Sequence, residues 1–306
     1  MAVIWTILFT HIFDGRQRNE VSMKTVDKIS KEALTELIEE KALDIRRDIV
    51  KMISLAASGH PGGSLSAVEI ISVLYFYAMR HDSMDPKWSN RDRFVLSKGH
   101  SAPALYAVLA EAGYFDRAEL WTFRKLGSRL QGHPDMRKLP GVDMSTGSLG
   151  QGLAVANGMA MAAKIDDQDH NIFALIGDGE SQEGEIWEAA LFASHNRLGN
   201  LIAITDFNDL QIDGRVSEIK DICPIDEKWS SFGWHVICVD GHDINELIDA
   251  IDSAKRVEDR PVMIEAKTIK GRGVSFMEDN VDWHGKAPTG EELEMALSEL
   301  GVKEWN

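Results

Sequence analysis

The feature that most constrains this chain is a repeated order: a short apolar run, a Gly-rich or polar turn, a helical stretch, then another apolar run. Ile172–Ile176, Leu201–Asp206, His235–Val239 and Val262–Thr268 are such runs. An earlier segment, DRFVLSKGHSAPALYAVLAEAG, reads as a short strand, a Gly-His turn and a helix. Strands that alternate with helices predict an α/β fold, a parallel sheet with helices on both faces. In such sheets ligands sit beyond the carboxyl ends of the strands. Attention therefore falls on what stands just after each run.

After Ile176 comes Gly177-Asp178-Gly179, and the next apolar run ends at Asn208. Consecutive strands joined by a helix usually lie side by side, so Asp178 and Asn208 are expected at one sheet edge. A carboxylate with a carboxamide oxygen suits a hard divalent cation that keeps its other positions for phosphate oxygens and water. The glycines allow close backbone approach, and free N–H groups there can bind phosphate. A lone Gly-Asp-Gly is also an ordinary turn with Asp as a cap. The Asn after the very next strand favours a metal-bridged diphosphate.

Other segments frame this pair. Residues 28–58 are expected to be helical, with Leu34, Leu37, Ile38, Ile45, Ile49, Ile53 and Leu55 recurring mainly at three- and four-residue intervals. Pro61, Gly62 and Gly63 are expected to break that helix. The irregular stretch 122–147 is long for a compact domain, which points to function. It runs into the small-residue helix LAVANGMAMAAK. Asp243 is read as the cap of the helix that follows it. Met159 and Met161 are read as packing residues.

The formal net charge of −16 argues against a general nucleic-acid or anionic-membrane binder, because both need a basic face. The N-terminal run MAVIWTILFTHIF is apolar over about 13 residues, short of the roughly 20 that span a bilayer. Met23 reads as a natural start and residues 1–22 as an extension, with a docking segment as the alternative. Residues 23–306 are expected to form one domain. The two cysteines, Cys223 and Cys238, form neither a disulfide framework nor a zinc motif, which fits a reducing cytoplasm. Cys238, inside WHVICVD, is expected to be a small core residue.

At this point a family resemblance enters. The stretch GDGESQEGEIWEAALFASHNRLGNLIAITDFNDLQIDG is similar to transketolases nearly throughout. So are SGHPGGSLS, RFVLSKGHSAPALY, QGHPD, LPGVDMSTGSLGQGL and the TIKGRGVSFMED and WHGKAP segments, in the family's order over about residues 30 to 290. The chain resembles the N-terminal, thiamine-diphosphate-binding half. The resemblance implies that Asp178, Asn208 and the Leu210 carbonyl hold Mg²⁺, Ca²⁺ or Mn²⁺, and that Gly179 touches the diphosphate. It implies that Gly147 and Leu149 line the cofactor rings; Ser148 stands where the family often has Pro.

The resemblance further implies that His60, His100, His133 and His284 surround the reacting carbon and donor hydroxyls, with His100 also at the cofactor and His133 near the donor's terminal hydroxyl. Proton movement on hydroxyls near neutral pH suits imidazole. Glu183 and Glu188 would join a carboxylate network at a subunit interface; the plain reading is charge at a helix N-terminus. Lys270 and Arg272, in IKGRG, are candidates to approach anionic ligands, but solvated loop cations are the usual case, and the pair is left out of the catalytic set.

The family's activating glutamate and most of its substrate-phosphate arginines lie beyond this half. The resemblance thus implies a separate C-terminal subunit, carrying the second thiamine-enzyme domain and the C-terminal domain, in an α₂β₂ assembly acting on sugar phosphates. Alternatives are half of another thiamine-diphosphate enzyme (deoxyxylulose-phosphate-synthase-like, an E1-type dehydrogenase, or a transketolase for an unusual sugar), a non-catalytic cofactor-binding module, or a fragment of a longer enzyme. The histidines of SGHPGG and WHGKAP favour ketol transfer.

Overall fold

A computed structural model describes residues 30–303, and the expected extension at 1–22 lies outside them. In chain order the elements are α1 (Lys31–Ala56), α2 (Pro61–Ser66), α3 (Val68–Val73), β1 (Arg93–Leu96), α4 (Ala102–Glu111), α5 (Gln151–Ile165), β2 (Ile172–Gly177), α6 (Gly184–His195) and β3 (Leu201–Phe207). There follow a small hairpin, β4 (Leu210–Gln211) and β5 (Gly214–Arg215), then α7 (Val216–Ile219), α8 (Ile225–Ser231), β6 (His235–Asp240), α9 (Ile244–Ala254), β7 (Val262–Lys267) and α10 (Gly290–Glu299).

The main sheet has the order β1-β2-β3-β7-β6, with every pairing parallel. Side chains alternate across it as the two-residue strand period requires. Phe173 and Leu175 of β2, Ile202 and Ile204 of β3, and Val262 and Ile264 of β7 enter one core with residues of α1, α3, α4 and α9. Ile172, Ala174 and Ile176, Leu201 and Ala203, and Met263 enter a second core with residues of α5, α6 and α8. Both faces are thus covered, as expected. Met159 and Met161 pack on the second core, and Asp243 caps α9 by accepting from Asn245 and Glu246 N–H groups.

Two local expectations need correction. The first helix does stop near the expected place, but at Ala57, whose left-handed backbone (φ 48°) closes it. Pro61 then starts a new helix at its first turn, where a missing N–H costs nothing. Cys238 is exposed, because β6 is the outermost strand. The hairpin β4–β5, directly after Asn208, has no sequence signal because its strands are two residues each. Among the described residues no helix is long and apolar enough to cross a membrane.

Candidate cofactor and catalytic site

Four neighbouring strand ends build one cavity of about 350 Å³. β1 leads into Lys98 and His100, β2 into Asp178, β3 into Asn208 and Leu210, and β7 into Lys270. The register sets Gly177 opposite Asp206, so Asp178 and Asn208 follow side by side. His60, His133, Gly147, Leu149, Gly179, Glu183 and His284 complete the walls with them, so the residues singled out from sequence for the site border the same space, Glu188 excepted.

Asp178 is 3% exposed. Its Oδ1 accepts from the Gly179 N–H at 2.7 Å, and Oδ2 accepts from the Asn208 and Asp209 N–H groups at 2.8 and 2.6 Å. Burial, and then the Asp206 carboxylate, push its carboxyl up to about 6. None of the ion pairs among the described residues includes it. Asn208 Oδ1 accepts from the Leu210 N–H at 3.2 Å. Among the described residues no three His, Cys, Asp or Glu side chains converge as a metal cluster. One carboxylate, one carboxamide oxygen and one backbone carbonyl fall short of a hard cation's six or more ligands. They fit an ion that takes the rest from diphosphate and water.

Lys270 corrects the sequence reading. It is 4% exposed, not solvated, and its ammonium donates to the Leu210 carbonyl at 2.6 Å. Among the described residues it has no carboxylate partner. Burial, and then the Lys98 charge, lower it to about 8. Lys98, 3% exposed, pairs with Asp206, which is 0% exposed and also accepts from Ser66 and Thr268 hydroxyls. Burial alone would raise Asp206; the adjacent ammonium holds it below the ordinary carboxylate range. Both lysines follow strand ends at the same sheet edge as Asp178. That position was the signal available for Lys270.

Glu180 explains part of the acid-crowded turn. It is buried and accepts from the Ser97 hydroxyl and from the N–H groups of Gly150 and Gly177, tying three loops together beneath the cavity. Glu183 stands exposed at the rim, at the N-cap position of α6 but without a side-chain cap bond. Glu188 is exposed on the same helix.

Three of the four histidines touch one another. The ring centroids of His60 and His100 are 5.3 Å apart, His60 and His284 5.6 Å, and His100 and His284 5.3 Å. His133 lies at the edge, where Gly147 (φ 135°) leaves room that a Cβ would take at 2.7 Å from its ring. Burial first, then Arg124, lowers His60 to about 4. Burial first, then Lys270, lowers His284 to about 3. His100 is lowered well below its ordinary value, chiefly by burial and then by Lys98. The rings are therefore neutral near pH 7 and can each donate and accept.

Unfolding exposes these rings, so the unfolded chain takes up protons near 6.5 while the folded chain waits until about 4 at His60 and about 3 at His284. Stability is lost as pH falls through that window. The double variant His60→Gln/His284→Gln is expected to lose less melting temperature than the parent between about pH 7 and about pH 5. Scanning calorimetry at the two values reads this; parallel curves would refute it.

A family profile described as the transketolase thiamine diphosphate binding domain matches residues 38–305. The chain belongs to this family. It is 48% identical over 263 residues to the 6-deoxy-6-sulfo-D-fructose transketolase subunit SqwG of Clostridium sp. (strain MSTE9), covering 86% of this chain and 96% of that protein. It is 44% identical to an apulose-4-phosphate transketolase subunit of Actinobacillus succinogenes, over 86% of this chain and 95% of that protein. Against human transketolase the identity is 44%, but only 42% of that longer protein is covered. The transketolase structure from Campylobacter jejuni superimposes with a TM-score of 0.82 at 36% identity, over 87% of this chain and 43% of that chain. The chain thus spans almost the whole of transketolases described as subunits and about two fifths of the long single-chain ones.

Proposed function

We propose that residues 23–306 form the cofactor-binding subunit of a two-chain transketolase. It binds thiamine diphosphate through a divalent cation, Mg²⁺ or its substitutes Ca²⁺ and Mn²⁺, held by the side chains of Asp178 and Asn208 and the carbonyl of Leu210. With a separate C-terminal subunit, in an α₂β₂ assembly, it transfers a two-carbon ketol unit from a ketose phosphate to an aldose phosphate. The observation that carries this reading is one cavity combining a buried carboxylate and a buried ammonium, each without an ion-pair partner among the described residues, with three touching neutral imidazoles.

Thiamine diphosphate, when bound, supplies the carbon nucleophile and the electron sink of ketol transfer. The chain's own residues do the rest. Lys270, a cation without a carboxylate partner among the described residues, faces the diphosphate together with Lys98. Gly179 offers its backbone to a phosphate, while Gly147 and Leu149 border the rings. His60, His100 and His284 hydrogen-bond hydroxyls of the donor sugar and pass protons at them. Among the described residues the Nδ1 of His284 is buried without a hydrogen-bond partner, which leaves it for such a hydroxyl. His133 holds the far end of the sugar at the rim, and Glu183 meets the partner chain. The two free thiols fit a cytoplasmic setting.

The test is reconstitution. This chain and its partner, mixed with thiamine diphosphate and Mg²⁺, are expected to transfer ketol units, and each alone is expected to be inactive. Transfer by this chain alone would end the two-subunit reading.

A further inference from the structure

The loop after β7 carries Lys270 into the cavity, and several hydrogen bonds fix its backbone, the Asp279 N–H donating to the Lys270 carbonyl at 3.0 Å and three others reaching the elements behind it. The Gly271 N–H donates to the Gly62 carbonyl at 3.0 Å. The Ile269 N–H donates to His242 Nε2 at 2.8 Å, and the Arg272 carbonyl accepts from Arg46 Nε at 3.0 Å. The His242 and Arg46 bonds lead to one carboxylate. Because Nε2 of His242 accepts, its proton sits on Nδ1, which donates to Glu69 Oε2 at 3.0 Å. Arg46 reaches both oxygens of Glu69, at 2.6 and 2.8 Å. Arg46 and Glu69 are buried, on α1 and α3, and His242 opens the turn before α9. None of the three borders the cofactor cavity; they line a separate one, of about 380 Å³, with Arg272 and Gly273.

We propose that Arg46, Glu69 and His242 form a positioning network that sets where Lys270 stands, and through it the grip on the cofactor's diphosphate. The inference rests on the reading above that Lys270 faces that diphosphate. A buried ionic set adds little stability over apolar filling of the same shape, but it imposes direction. Here the direction is imposed on a loop. The Lys270 side chain has four rotatable bonds and, among the described residues, a single acceptor at its tip, so its placement depends on the backbone beneath it. Residues that orient a ligand-binding group from behind commonly change affinity by about tenfold or more when removed.

The test is a double-mutant cycle on the full chain, reading the affinity for thiamine diphosphate with Mg²⁺ by titration calorimetry. Lys270→Met and His242→Phe are each expected to weaken binding by about tenfold, and the double variant to bind no worse than Lys270→Met alone. His242→Gln, whose amide can accept from Ile269 and donate to Glu69, is expected to recover affinity to within about twofold of the parent. Where His242→Phe does not fold, Glu69→Gln, which keeps the shape but leaves a single acceptor oxygen for Arg46 and His242 to share, takes its place with the same expectations. A weakened Lys270→Met beside an unchanged His242→Phe overturns the network, as do losses that simply add. Unchanged affinity in Lys270→Met overturns both the diphosphate reading of Lys270 and the inference built on it.

Discussion

Asp178→Ala is expected to remove metal-dependent binding of thiamine diphosphate, a loss of about 100-fold or more, equivalent to about 2.7 kcal/mol. Two effects combine. The buried carboxylate is the only negative group offered to the cation among the proposed ligands, and it accepts three backbone N–H groups that alanine would leave without a partner. Orphaned donors cost about 1–3 kcal/mol each, so the turn after β2 should also loosen. Asp178→Asn separates the two effects, since it keeps an acceptor oxygen and removes the charge. Chelation of the parent with EDTA should mimic Asp178→Asn and be reversed by Mg²⁺, Ca²⁺ or Mn²⁺. Titration calorimetry with and without chelator reads all of these; affinity untouched by Asp178→Ala would sink the assignment of the metal site.

Asp206→Ala is expected to cost about 3–5 kcal/mol of stability, because it strands a buried ammonium. Among the described residues Lys98 would keep only the Gly63 carbonyl as an acceptor near its tip, at 3.1 Å; the Thr268 hydroxyl would lose its acceptor, while Ser66 would keep the Gly63 carbonyl at 3.2 Å. The paired variant Asp206→Leu/Lys98→Met removes both charges and should recover most of the loss in folding, but not in cofactor binding. Urea unfolding midpoints compared across the three proteins check the first claim. A single variant as stable as the parent would show that Lys98 has another way to be satisfied.

The site is legible where chemistry coincides with strand ends. Asp178 and Asn208 are placed together by two consecutive apolar runs and one helix, which need no knowledge of the rest of the chain. The histidines, Gly147, Leu149 and Leu210 come from resemblance, and all border the same cavity. Lys270 is misread from sequence because a cation in a Gly-rich loop looks solvated. Its burial comes from packing against Gly62, where a Cβ would meet the Lys270 side chain at 3.0 Å. Glu180 and Asp206 carry no sequence signal because nothing local distinguishes an inward carboxylate from an outward one. Cys238 is misplaced because its strand is as apolar as its neighbours yet lies at the sheet edge.

By itself, the sequence determined the alternation of strand and helix, the two-sided sheet and the meeting of Asp178 with Asn208. These follow from periodicity and short connections, which are local. Only the tertiary structure decided the strand order, which placed β6 outermost, and which charges are buried. It also decided that three imidazoles touch and stay neutral, and that Arg46, Glu69 and His242 hold the Lys270 loop from behind. Those outcomes depend on burial, and burial is set by segments far apart in the chain that pack on one another.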